Sequence, residues 1–164
     1  MRLQGSCHCG TVQFTCDTVA PYPYMQCYCS ICRKTAGAGG HAVNLHADAT
    51  SLQVTGEQAI TVYRAWLDHP QRTKRSDGER RFCSHCGTPL WVWDPRWPEL
   101  MHPFAAAIDT PLPQPPARNH IMLAYKPDWV PLCVDEQDRR FDTYPDESLH
   151  AWHQRHGLLD DPNA

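Results

Sequence analysis

Cys7-His8-Cys9-Gly10 near the start of the chain and Cys83-Ser84-His85-Cys86-Gly87 near its middle decide how the rest is read. Each puts two thiols on a tight turn. A glycine follows the second thiol and allows the left-handed backbone that turns amide groups back towards the sulfurs. Zinc takes four soft ligands in a tetrahedron, with Zn–S near ~2.3 Å. Two half-sites of this kind close one tetrathiolate. Cys7, Cys9, Cys83 and Cys86 are therefore expected to hold a structural zinc that clips together segments far apart in the chain.

Between them stands Cys27-Tyr28-Cys29-Ser30-Ile31-Cys32, with three thiols and no evident fourth partner. Three protein ligands and one open position mark a catalytic zinc. Such a position binds a thiol as thiolate and holds it as nucleophile or leaving group. Two other readings stand beside this one. The trio could be a second structural site completed by His8, His41, His85, Cys16 or Cys133, or Cys29 and Cys32 could be a redox pair. No βαβ pattern surrounds them as in thioredoxin-type proteins. Cys16 and Cys133 stand alone and read as buried, reduced thiols.

The composition agrees with a small metal protein. At 164 residues the chain suffices for one domain with a hydrophobic core. A formal charge of −3 leaves no basic excess for phosphates, which argues against nucleic acid as a partner. The basic residues Arg72, Lys74 and Arg75, and the pair Arg80-Arg81, read as solvated charge on strand faces. No apolar run approaches the roughly 20 residues that span a bilayer, and Met1–Gly5 lacks the apolar stretch of a signal peptide. The expectation is a cytoplasmic protein without membrane contact. In a reducing compartment, nine cysteines in close groups read as metal ligands rather than disulfides.

Fifteen prolines and nine glycines keep the apolar-periodic runs short, which favours strands. Thr11–Thr15 and His41–Leu45 alternate polar and apolar residues, and Leu90–Trp93 is rich in strand formers. Leu52–Thr55 and Ile60–Arg64 read as paired strands around Gly56-Glu57. Ser76-Asp77-Gly78-Glu79 reads as a hairpin turn, with Arg80–Cys83 returning along it. Asp94–Pro103 and Asp109–Pro116 read as loops. One helix is expected near the end, capped by Asp146, with Leu149, Trp152, His153 and His156 on one face and Gly157 closing it. The fold class is thus mainly β with a short C-terminal helix. Residues 1–145 form the zinc domain, and residues 146–164 form a helix and tail packed on it.

Gly5-Ser6-Cys7-His8-Cys9-Gly10, Cys27-Tyr28-Cys29-Ser30-Ile31-Cys32-Arg33-Lys34 and Phe82-Cys83-Ser84-His85-Cys86-Gly87-Thr88-Pro89-Leu90 together resemble the glutathione-dependent formaldehyde-activating family. The likeness extends to Phe104–Asp109, where the family has a strand running into a turn. It extends further to His120 and Lys126-Pro127-Asp128-Trp129, covering residues 3 to 145. The resemblance implies a β-tent fold of short antiparallel strands and two zinc ions. One is structural, on Cys7, Cys9, Cys83 and Cys86. The other is in the active site, on Cys27, Cys29 and Cys32. It also implies a carbon–sulfur lyase that joins glutathione and formaldehyde as S-hydroxymethylglutathione. Glutathione carries two carboxylates, and Arg33 and Lys34 are candidates to meet them. The alternative is a non-catalytic zinc module that binds glutathione or a protein partner.

Overall fold

A computed structural model describes residues 1–68 and 70–159. In chain order the first strands are β1 (Arg2–Ser6), β2 (Gln13–Asp17), β3 (Tyr24–Cys27), β4 (Ala42–Asn44), β5 (Ala47–Asp48) and β6 (Gln53–Thr55). They are followed by β7 (Ile60–Trp66), β8 (Arg75–Cys83), β9 (Pro89–Trp93), β10 (Leu100–Pro103), β11 (Arg118–Ile121) and β12 (Arg139–Arg140). Two helices accompany them, α1 (Ser30–Ala36) and α2 (Leu149–Arg155). The expectation of a mainly β protein with a short C-terminal helix is met. No helix among the described residues is long and apolar enough to cross a membrane.

Three sheets result. The first has the order β1-β2-β6 and the second β5-β10-β9-β8-β7, both antiparallel. The third, β12-β11-β3-β4, is mixed: β11 lies parallel to β3 and to β12. Long stretches of chain separate β3 from β11, so the crossover a parallel pair needs is available.

Alternation fixes which face each strand buries. Leu3 and Gly5 of β1 and Phe14 and Cys16 of β2 point inward. They meet Leu90, Trp91 and Met101 of the second sheet in the main core. The Phe14 ring lies directly over Gly5, where a Cβ would fall 2.4 Å from its Cζ. It packs on Trp91 with ring centroids 5.0 Å apart. A second apolar cluster, with Ala42, Phe104 and Ile121, sits beneath the third sheet and includes Cys27 and Cys32.

Several local expectations are corrected. Leu52–Thr55 and Ile60–Arg64 do contain strands, but β6 joins β2 and β7 joins β8. Gly56, at φ +79, starts the 3-10 turn Glu57–Ala59 that carries the chain from one sheet to the next. The Thr11 carbonyl occupies the space a Cβ would need there. Asp77-Gly78 makes no turn: β8 runs through it as a bulge against β7, between the pairs Trp66–Arg75 and Arg64–Glu79, and pairing with β9 begins at Glu79. Pairing with β7 before and after the bulge outweighs the local turn preference. The reversal falls earlier, where Asp68 accepts the Thr73 and Lys74 amides.

Leu100–Pro103 is a strand rather than a loop and buries Met101. Ala105–Ala107 is a 3-10 turn, where the resemblance placed a strand. Ser148 rather than Asp146 caps α2, its Oγ accepting the Ala151 amide. Asp146 instead faces Arg139. Gly157 follows the helix at φ +65, as expected. The tail expected after it reaches beyond the described residues from position 160 on.

Candidate metal centres

The outer cluster is built from two turns with matching geometry. The first joins β1 to β2 and carries Cys7 and Cys9. In the second, Cys83 ends β8 and Cys86 lies in the turn to β9. Gly10 and Gly87 both adopt φ +73, and their amides donate to the carbonyls of Cys7 and Cys83 at 2.9 Å. Two threonines cross-brace the turns. Thr88 Oγ1 accepts the His8 amide at 3.1 Å and lies 3.2 Å from Cys86 Sγ. Thr11 Oγ1 lies 3.3 Å from His85 Nδ1 and 3.2 Å from Cys9 Sγ. The Val12 amide donates to Cys7 Sγ at 3.2 Å.

The four Sγ atoms all lie within 4.8 Å of one another. The distances Cys7–Cys9, 3.4 Å, and Cys9–Cys83, 3.7 Å, are close to the roughly 3.8 Å edge of a ZnS4 tetrahedron. The hydroxyl and amide of Thr88 pull the Cys86 thiol down to about 5, whereas burial pushes Cys83 up to about 11. Hydrogen-bond donors aimed at sulfur favour the ligating thiolate, so the residues fit zinc.

The middle cluster has a different setting. Cys27 ends β3, Cys29 caps α1, and Cys32 lies in the first turn of that helix. The Cys29 Sγ accepts the Cys32 amide at 3.3 Å. Their three Sγ atoms also lie within 4.8 Å of one another, and no fourth Cys, His, Asp or Glu joins them among the described residues. His8, His41, His85, Cys16 and Cys133 are thus not brought into this cluster. Hydrogen bonds from Cys27 and Cys32 hold the Cys29 thiol down to about 2, and the same contact with Cys29 pushes Cys27 up. Cys29 is thus the readiest thiolate of the three, and a divalent cation would displace the protons of Cys27 and Cys32 as it binds. The donor set therefore fits zinc. Cys27 and Cys32 are buried and Cys29 is half-buried, so Cys29 marks the accessible side.

Of the other thiols, Cys16 is buried as expected, but Cys133 is exposed. Lys34 is exposed, and Arg33 is half-buried with its Nε buried and unpartnered. A cleft of about 460 Å³ runs along α1, between Ser30, Ile31 and Lys34 on one side and Tyr63, Trp66 and Arg72 on the other.

Two features escaped the reading of the sequence. Arg80, expected on a solvated face, is buried at 8% exposure, with Nη2 3.9 Å from Cys32 Sγ. Its neighbour Arg81 is the half-solvated one, paired with Glu79 and lying over the Trp91 ring. The period of two along β8, which buries Gly78 and Arg80 alike, carried the signal. The second feature is a buried chain behind the cluster. Tyr28 Oη lies 3.1 Å from His120 Nδ1, and His120 Nε2 lies 3.1 Å from Asp138 Oδ2. Burial alone would raise the Asp138 carboxyl, but the amides of Arg118 and Asp135 and the His120 ring hold it below the usual carboxylate range.

Known proteins resemble this chain. Residues 2–123 match the family model described as glutathione-dependent formaldehyde-activating enzyme. A Halomonas elongata protein is 57% identical over 96% of this chain and 98% of its own; its name assigns it, provisionally, as a glutathione-dependent formaldehyde-activating enzyme. A crystal structure of a Rhodobacter sphaeroides protein superposes with a TM-score of 0.52 at 25% identity, covering 69% of this chain and 92% of that one.

Proposed function

Since the chain belongs to the glutathione-dependent formaldehyde-activating enzyme family, we propose that it is a zinc-dependent carbon–sulfur lyase acting on the adduct of a small thiol, glutathione, with formaldehyde. The observation that carries this reading is the middle cluster: three sulfurs converge from β3 and α1 with no fourth protein donor among the described residues. Cys27, Cys29 and Cys32 hold the active-site zinc, and Cys7, Cys9, Cys83 and Cys86 hold the structural one. When bound at the trio, zinc supplies a Lewis-acidic position that favours the thiolate form of an incoming sulfur.

The chemistry asked of the protein is modest. A thiolate sulfur adds to the aldehyde carbon, the S–C bond forms, and the carbonyl π pair moves to oxygen, which takes a proton from water. The lyase direction is the reverse. The addition is already easy in water, so the chain mainly has to bring thiol and aldehyde together and hold them in line.

The cleft along α1 suits the body of the thiol. Ser30 and Ile31 line it and also belong to the turn that carries Cys29 and Cys32. Lys34 and Arg72 supply cations for the two carboxylates of glutathione. The apolar surround of Phe104 and Ile121 keeps water away from the inner sulfurs. None of the nine cysteines is joined in a disulfide, which supports work in a reducing compartment, the cytoplasm. Residues 1–145 act as the zinc domain, and α2 belongs to the same unit through Trp152, buried against Tyr22.

The test is to mix zinc-loaded protein with glutathione and formaldehyde and compare adduct formation with the protein-free rate. Acceleration that disappears in Cys29→Ser supports the reading. No acceleration across a panel of thiols overturns it.

A further inference from the structure

Arg80 is the basic residue that β8 turns inward. Among the described residues no carboxylate lies within ion-pair distance of it; Glu79, its neighbour, is taken by Arg64 and Arg81. Its Nε is buried without a partner, and its Nη2 points at Cys32 Sγ from 3.9 Å. An unpaired guanidinium is costly to bury, and neutral thiols do little to offset it. Three thiolates do. Together with a divalent ion they carry a net charge of −1, and one guanidinium brings the pocket to neutrality. Arginine is suited to the task, being permanently charged and more weakly hydrated than an ammonium.

We propose that Arg80 is the counter-cation of the Cys27, Cys29 and Cys32 cluster, and that its free Nε–H is the donor for an anionic ligand arriving there. This deepens the lyase reading and rests on it only for the identity of that ligand. In thiol–aldehyde addition the anionic atoms are the thiolate sulfur and the oxygen that receives the carbonyl pair, and a fixed donor stabilises either. Arg80 transfers no proton in this role.

The first measurement is the affinity of the middle cluster for cobalt(II), by chelator competition, with the outer cluster as internal control. Arg80→Gln is expected to weaken the middle cluster about tenfold or more. Arg80→Lys, which keeps the charge, is expected to stay within about threefold of the native protein. Affinity in Arg80→Gln within about twofold of native, or Lys falling as far as Gln, overturns the counter-cation role.

The second measurement uses cobalt-loaded native protein and Arg80→Lys, and remains available if Arg80→Gln fails to fold. Thiocyanate, an anion, is expected to bind Arg80→Lys about tenfold more weakly than native, with imidazole, a neutral ligand, unaffected. Unchanged thiocyanate binding, or an equal loss for both probes, overturns the donor role. None of these readouts needs turnover. A native protein that binds metal in this charge-dependent way but accelerates no addition sinks the lyase reading alone.

Discussion

Thr88 serves both turns of the outer cluster, accepting the His8 amide while its hydroxyl faces Cys86 Sγ. Partners behind the ligands of a metal orient them and tune their basicity, and losing one typically costs metal affinity. Thr88→Val keeps the shape and removes both contacts. Zinc affinity of the outer cluster should fall about tenfold, and stability by about 1 kcal/mol, by chelator competition and thermal melting. Cys29→Ser addresses the other cluster. It should reduce bound zinc from two ions per chain to one and abolish adduct formation, while leaving the melting temperature close to native. A coincident loss of fold would mean that the trio is structural. The cysteines were legible in the sequence because ligand spacing on a turn is local chemistry. Arg80 was not, because its burial comes from the face of β8 that meets Cys32, distant in the chain, and charge usually signals solvent.

At the scale of elements, the buried histidines beneath α2 offer a pH-dependent contribution to stability. His153 of this helix gives Nε2 to the Tyr22 carbonyl, and its ring lies 6.1 Å from that of His46. His46 in turn gives Nε2 to the Pro23 carbonyl and lies 5.6 Å from His102, which faces the Leu45 carbonyl and the charge of Asp94. Burial holds His46 well below the ordinary histidine value and His102 below it. The folded form therefore keeps His46 and His102 neutral, whereas in the unfolded chain they take up protons near pH ~6.5. Stability from keeping these two rings neutral is complete above that value and is lost as pH falls below it, by at most about 1.4 kcal/mol per pH unit for each of the two. A melting series from pH 7.5 to 5.5 should show the decline. His46→Gln, whose amide can still reach Pro23, should flatten it; an unchanged slope would remove His46 from the account. The existence of short strands and of this helix was readable from period and punctuation. Their partners were not. Pairing β6 with β2, Phe14 against Val54, depends on contacts far along the chain, and β8 takes Asp77-Gly78 as a bulge against β7 rather than as a turn.

At the scale of the whole molecule, the outer cluster ties the β1–β2 turn of the first sheet to the β8–β9 turn of the second, and the main core lies between those sheets. Structural zinc contributes on the order of 10 kcal/mol in small zinc peptides, comparable with the whole stability of a typical domain, about 5–15 kcal/mol. Losing the clip should therefore unfold the protein, whereas losing the middle metal should not. Cys9 and Cys86 are exposed and Cys27 and Cys32 buried, so accessibility alone would strip the outer site first. At equilibrium the ligand count decides instead: four thiolates hold the ion more tightly than three. Increasing chelator should then release one zinc per chain with circular dichroism unchanged, and the second together with the β signal. Cys83→Ala should mimic the second step, giving a protein that fails to fold even with zinc in excess. A chain that keeps its sheets after both ions have left would show that the Phe14–Trp91 core holds the two sheets together without the clip.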